Sequence, residues 1–84
     1  MALAGLVHTF PRADLAKADL AGADLTGADL TEANLRDANF SLADLTRAVL
    51  TEANLTDANF SGANLHGIGL SEEDLLMVEL NDVK

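Results

Sequence analysis

The sequence predicts an all-β solenoid, a chain wound into stacked coils, and three observations support this fold class. Leu or Phe occupies every fifth position from Phe10 to Leu70, thirteen times in a row. Ala stands two residues earlier in eleven consecutive repeats, from Ala13 to Ala63. Residues 31–50 and 51–70 are identical at 13 of 20 positions. The chain is therefore a repeat array in which four repeats of five residues form one coil.

The period of five excludes a helix and a regular strand. At about 100° per residue, five residues rotate a helix by roughly 140° net, so the leucines would spiral without forming a stripe. In a strand, an odd period moves each successive leucine to the opposite face. The pattern fits a broken strand, in which Ala and Leu two residues apart point inward and the next residues turn the chain.

The two residues between each Leu and the next Ala are predicted to form a turn. A type II turn needs positive φ at its third residue, and glycine fills this place at four corners: Gly22, Gly27, Gly62 and Gly67. The segment Phe10-Pro11-Arg12-Ala13 is predicted to be the first turn, because Pro presets φ at the second place. At the remaining corners a charged residue or Leu takes the Gly place, and there we expect other turn types.

Stacking residues that lie twenty apart predicts specific contacts. Phe40 and Phe60 should stack in one interior column, with Leu20 below them. On the outside, Asn34 with Asn54, and Asn39 with Asn59, should form side-chain ladders along the stack.

Ten of the eleven repeats with Ala carry Asp or Asn between Ala and the central Leu or Phe, Val49 being the exception. This motif, Ala-(Asp/Asn)-Leu-x-x, resembles the pentapeptide repeat family over about residues 10–70. The resemblance implies a right-handed four-sided β-helix with Ala and Leu inside, here of about three coils. Residues 1–84 would then form one domain, with an N-terminal cap at 1–9, the β-helix at 10–70 and a short C-terminal capping helix within 71–84.

Both ends of a solenoid need caps, because the end coils expose apolar core. At the front, Leu3, Leu6 and Val7 are available to cover the first coil. At the back, Ser71 followed by acidic residues predicts a helix from about 72 to 82.

The predicted C-terminal helix carries more aliphatic residues than one helical stripe can bury beneath a monomer. It is either deeply seated or in contact with another chain. The second interpretation predicts a homodimer, with Leu76, Met77 and Leu80 at or near the interface.

Composition excludes several classes of function. The net charge is −9, and the five cations are scattered singly, so direct nucleic-acid binding is not expected. The chain has no Cys and no apolar stretch long enough to span a membrane, and its first residues do not resemble a signal peptide. We expect a bacterial, cytoplasmic protein without membrane contact.

Catalysis and cofactor binding are not expected either. The two histidines, His8 and His66, have no evident acidic partner that would orient them for nucleophilic catalysis. A filled coil has no cleft in which carboxylates could be perturbed. We therefore expect no catalytic residues, no cofactor and no metal site.

Two outer regions are candidate interaction sites. The first is an acidic edge, which carries Glu32, Glu52 and Glu72 beside Asp37 and Asp57. It is either a solvated face that keeps the fold soluble or a negative surface that attracts a basic partner. The second is the pair of outward aliphatic residues Leu42 and Val49, which form a contact patch or are incidental.

These features favour a non-enzymatic structural or protein-interaction module with an unknown protein partner. The alternative is a DNA mimic, since some pentapeptide repeat proteins bind DNA gyrase, and the negative charge fits that role. The predicted stack is shorter than the rods of those proteins.

Overall fold

The computed structural model describes residues 9–71 together with Asp74 and Leu76. Nine parallel β-bridges join residues twenty positions apart, from Thr9–Asp29 to Val49–Gly69. Within 9–71 the pairing consists of single-residue bridges, with no longer strand. The chain is thus a β-helix solenoid with a coil of twenty residues, as the internal repeat predicts. Its pairing starts at Thr9, one residue before the predicted start.

Backbone hydrogen bonds between neighbouring coils hold the stack together. The N–H of Leu15 donates to the carbonyl oxygen of Asn34 over 2.8 Å, and the N–H of Asn34 donates back to the oxygen of Ala13 over 2.8 Å. This is the slanted pattern of a parallel sheet, repeated on each side of the coil. It pairs backbone groups that the turning chain would otherwise leave without partners.

All twelve corners from Arg12 to Gly67 have the same backbone geometry. The second corner residue has positive φ whether it is Gly, as in Gly22 at 70°, or not, as in Leu42 at 62°. At each corner the N–H that follows donates to the carbonyl oxygen three residues back, as Ala13 does to Phe10 over 3.1 Å. The predictions for the four Gly corners and for the first turn are confirmed, and the prediction of other turn types at the remaining corners is wrong.

At six of the eight corners without Gly, a hydrogen bond to the neighbouring coil supports this geometry. Glu52 and Asp57, in the last coil, have the same φ without such a bond among the described residues. The N–H of Leu42 donates to the carbonyl oxygen of Ser61 over 2.9 Å, and that of Arg47 donates to His66 over 2.9 Å. Each such bond fixes the direction of the corner N–H. A left-handed conformation costs a residue with a Cβ about 1–2 kcal/mol, and a bond shared with the next coil offsets much of that cost.

The interior is filled by the repeated Ala, Leu and Phe side chains. In the middle coil they are almost completely buried, with Phe40 at 0% and Ala38 at 1% exposure. The rings of Phe40 and Phe60 stack with centroids 5.0 Å apart and planes 4° apart, which confirms the predicted aromatic column. Leu20 packs against this core and is partly buried. Among the described residues, the buried core contains no polar side chain.

The chain leaves the coil through a helix start. Ser71 Oγ accepts a hydrogen bond from the N–H of Asp74 over 3.2 Å, the geometry of an N-cap residue. Asp74 and Leu76 have α-helical conformation. The rest of the predicted helix, and the predicted cap at residues 1–8, lie outside the described residues.

Candidate interaction surface

The coil has four sides, which we name by the residue between Ala and Leu in successive coils. They are side A (Asp14, Asn34, Asn54), side B (Asp19, Asn39, Asn59), side C (Asp24, Asp44, Asn64) and side D (Thr9, Asp29, Val49, Gly69). Corners lie between consecutive sides, and a corner residue has its equivalent twenty positions later.

The Asp and Asn side chains of these sides bind the corner that follows them. In all ten, Oδ1 accepts a hydrogen bond from the backbone N–H two residues later, as Asn39 does from Ser41 over 2.9 Å. This is the Asx turn, which needs a short side chain with an acceptor oxygen. Val49 has no such oxygen.

The amide oxygens therefore serve the corners and not the ladders predicted for Asn34 with Asn54 and for Asn39 with Asn59. A nearby N–H in the same turn is the closer partner for Oδ1. Between coils, Asn34 Nδ2 donates to Asp14 Oδ1 over a long 3.4 Å.

Threonine hydroxyls add a second donor to three of the aspartates, Asp24, Asp29 and Asp44. Thr31 Oγ1 donates to Asp29 Oδ1 over 2.6 Å, and together with the Thr31 N–H it holds the pKa of Asp29 below its ordinary value. The pKa of Asp44 is lowered chiefly by the Thr46 hydroxyl, with smaller contributions from the Thr46 N–H, the Thr26 hydroxyl and the charge of Arg47. Both carboxylates are thus ionised acceptors within the turns.

The acidic edge is brought together on the two corners that flank side A. Glu32 and Glu52 occupy one corner column, Asp37 and Asp57 occupy the other, and all four are exposed. Glu72 lies outside the described residues.

Cations stand at the base of both acidic columns, which sequence reasoning missed. Arg12 Nη1 lies 3.6 Å from Glu32 Oε1, and Lys17 begins the column of Asp37. Arg36 Nε lies 3.8 Å from Asp37 Oδ2 on the same corner. In the sequence, Arg12 lies twenty residues before Glu32 and Lys17 lies twenty residues before Asp37, so the period of the coil alone would have placed each cation in its column. Exposed pairs of this kind contribute about 0–1 kcal/mol, so they lower the charge of the edge more than they stabilise the fold.

Leu42 and Val49 are both exposed, at 74% and 38%, but they do not form one cluster. Leu42 lies at the corner between sides B and C, and Val49 lies on side D. Asp44 and Arg47 stand between them along the chain.

Three glycines of the third coil lie against side chains of the middle coil, namely those of Leu42, Arg47 and Val49. A Cβ on Gly62 would lie 2.8 Å from Leu42 Cδ2, and one on Gly67 would lie 3.3 Å from Arg47 Cγ. Gly69 faces Val49 in the same way, at 3.7 Å from Cγ1. Besides shaping turns, Gly62 and Gly67 therefore make room for the side chains beneath them, a second role that only the stacked coils reveal.

Of the residues predicted at a dimer interface, Leu76 is described and is 57% exposed. Met77 and Leu80 lie outside the described residues, so the tail contact stays a prediction. Among the residues described, no group of three or more His, Cys, Asp or Glu side chains is arranged to hold a metal ion. No helix in that part of the chain is long and apolar enough to cross a membrane.

These features define a class of protein, the β-helix solenoids built from a five-residue repeat. The family model described as "Pentapeptide repeats (8 copies)" matches residues 10–47 and 28–67. The chain belongs to the pentapeptide repeat family.

One solved structure supports this assignment. A pentapeptide repeat protein from the cyanobacterium Cyanothece 51142 is 40% identical with a TM-score of 0.59, and the match covers 80% of this chain and 43% of that one. The present chain therefore spans less than half of that relative's length. A pentapeptide repeat protein from Nostoc Pcc 7120 is 31% identical over 86% of this chain and 82% of its own, with a TM-score of 0.30. The comparison with curated proteins gives no match.

Proposed function

We propose that this chain is a non-enzymatic interaction module that binds a protein partner through the outer surface of its coil. Pentapeptide repeat proteins are generally structural or interaction modules. The observation that carries the proposal is the separation of apolar side chains from charged side chains in the coil. Apolar side chains fill the described interior, and the charged side chains, with the exposed Leu42, lie outside. A partner recognises this surface by its charge and shape.

The finer architecture belongs to the same proposal. Thr9 to Gly69, at twenty residues per coil, gives about three coils, each rising about 4.8 Å. We expect a right-handed winding, because connections between parallel strands of one sheet are right-handed almost without exception. The N-cap bond of Ser71 supports a C-terminal capping helix.

The acidic edge is the surface we expect a basic partner to contact. Glu52 and Asp57 stand on adjacent corners of the third coil, farthest from the cations Arg12 and Lys17 at the base of their columns. Clustered exposed carboxylates of this kind attract and orient a basic surface.

A binding experiment tests this role. The folded chain, immobilised, should retain a specific basic protein from an extract of its source cells. Glu52→Gln with Asp57→Asn should release that protein, whereas Asp14→Asn, on the first coil, should retain it. Retention of the same proteins by the chain and by both variants would contradict recognition through the acidic edge.

A second candidate function is DNA mimicry, favoured by the two stacked acidic columns and the net charge of −9. In that role the chain would occupy the DNA site of an enzyme such as DNA gyrase. A supercoiling assay with purified gyrase tests it, and unchanged activity at micromolar protein would exclude that target.

A further inference from the structure

Side C differs from the acidic edge in what its corners carry. Its two corner columns contain Gly22 and Gly62 on one edge and Gly27 and Gly67 on the other. In the middle coil alone, these places are taken by Leu42 and Arg47, both with positive φ. Leu42 and Arg47 are therefore the side chains of two corner columns that hold Gly in the other coils. We call the middle-coil residues Leu42, Asp44 and Arg47 the side C patch.

Neither corner residue is explained by the needs of the fold. Gly adopts this φ without the left-handed cost of a residue with a Cβ, and the neighbouring coils use it. In addition, Leu42 exposes a large apolar side chain, which the core does not bury. The fold thus accepts Gly at both places, and neither the core nor the backbone requires Leu42 or Arg47 there.

The charges of the patch complement each other. Among the described residues Arg12 and Arg36 form ion pairs, whereas Arg47 forms none. Arg47 nevertheless lies near enough to Asp44 for its charge to favour the ionised carboxylate. The side C patch thus presents one cation, one carboxylate and one exposed apolar side chain.

We propose that the side C patch is the contact surface for a second copy of this chain, related by a two-fold axis. This goes beyond the proposed function, whose basic partner contacts the acidic edge, by naming a partner for a different side of the coil. Under a two-fold axis each copy offers the same patch, so Arg47 of each chain can face a side C carboxylate of the other. Leu42 then lies in a mutual apolar contact.

The net charge of −9 favours this orientation over others. Side A, with the acidic edge on its two corners, lies opposite side C. A contact through side C therefore places the acidic edges of the two copies on the outside of the dimer. The smallest extent of the chain is 23 Å, more than twice the screening length of about 10 Å at about 0.1 M salt. Repulsion between the two acidic edges is thus largely screened.

Analytical ultracentrifugation of the purified full chain tests the proposal. The wild-type chain should show a concentration-dependent dimer of twice 8.8 kDa. Leu42→Gly with Arg47→Gly restores the residue that both columns carry in the other coils, so folding should persist with an unchanged circular dichroism spectrum. Dimerisation of this variant should be at least about tenfold weaker.

Two controls distinguish a contact through side C from a general effect of charge and from a contact through the tail. Lys17→Gly makes the same corner change and removes the same single positive charge on the opposite side, and it should dimerise like the wild type. Met77→Glu with Leu80→Glu disrupts the dimer predicted through the C-terminal tail and should leave a side C dimer intact.

Three results would overturn the proposal. They are a wild-type chain that stays monomeric throughout the concentration series, a Leu42→Gly/Arg47→Gly variant that dimerises normally, and dissociation by the tail variant alone. Because purified protein is used alone, none of these results decides whether the chain retains a basic protein from an extract, which is the separate test of the proposed function.

Discussion

The inside and the outside of the coil follow different rules. Inside, the places between neighbouring coils hold Ala, Leu or Phe almost without exception, and those of the middle coil are buried. Outside, one corner place with one backbone conformation accepts Gly, Arg, Lys, Glu, Asp and Leu. Interior places are thus selected by volume, whereas the corners keep one backbone conformation whatever their side chain. The corners are therefore the positions at which the side chain can serve a partner.

The largest expected effect lies in the aromatic column. Phe40→Ala removes a fully buried ring that stacks on Phe60, and we expect a loss of about 3–5 kcal/mol in the free energy of unfolding. Phe10→Ala makes the same change at a ring that is 37% exposed and should cost much less. Urea unfolding of both variants measures the difference, and equal losses would contradict the contrast between interior and end coils.

The next largest effect tests whether the small volume of an interior place requires alanine. Ala38→Leu adds atoms to a place that is 1% exposed and should cost about 1–3 kcal/mol through overpacking. Ala21→Leu makes the same change at an exposed first corner residue and should shift the thermal midpoint little. If both midpoints fell alike, alanine would not be required by interior volume.

Two corner glycines test whether a corner needs Gly for the space around its Cβ position as well as for its backbone conformation. Gly22→Ala and Gly62→Ala both place a Cβ at positive φ, at a cost of about 1 kcal/mol each. Gly22 has no other atom near its Cβ position, whereas Gly62 has Leu42 Cδ2 at 2.8 Å. Gly62→Ala should therefore be slightly the more destabilising, because the exposed Leu42 side chain must turn away and has room to do so, and adding Leu42→Ala should bring its stability to that of Gly22→Ala. Identical melts for the two single variants would show that the Leu42 contact carries no energy.

The smallest expected effect is the dependence of stability on pH. The folded pKa values of Asp29 and Asp44 lie below the unfolded value of about 3.9. Their contribution is complete above that value and is lost as the pH falls through the folded pKa. Asp29→Asn with Asp44→Asn keeps an acceptor oxygen for the corner and removes the titration.

The double variant should therefore lose less thermal stability than the wild type between pH 7 and pH 3. Asp37→Asn, which removes an exposed corner carboxylate outside the Asx turns, is the matched control. An equal loss in the wild type and the double variant would show that the threonine bonds contribute nothing to acid stability.

The sequence was sufficient to predict the fold because the repeat is nearly perfect. A period of five rules out a helical stripe, and a second period of twenty places Phe60 over Phe40. The predicted turn type was wrong at corners such as Leu42 and Asp37, where the conformational preference of the residue itself argued against positive φ. Preference is a local quantity, and at both of these corners the hydrogen bond from the N–H to the next coil outweighs it.

The candidate surfaces were predictable only in part. The acids of the edge can be read directly from the sequence, but the ion pair of Arg12 with Glu32 depends on which residues stack. Of the side C patch, the sequence analysis singled out Leu42 alone and grouped it with Val49, which lies on side D. Its relation to Gly62 and Gly67 depends on contacts between residues twenty apart, which no local pattern reports.

The sequence by itself determined the period, the residues that point inward and the class of fold. These follow from steric and hydrophobic patterning, which acts over a few neighbouring residues. Tertiary structure decided the conformation of corners such as Leu42 and Asp37, the ion pair between coils, and the residues that stand out from the surface. The physical reason is that hydrogen bonds and side-chain contacts between stacked coils set these features, and they exist only once the coils have stacked.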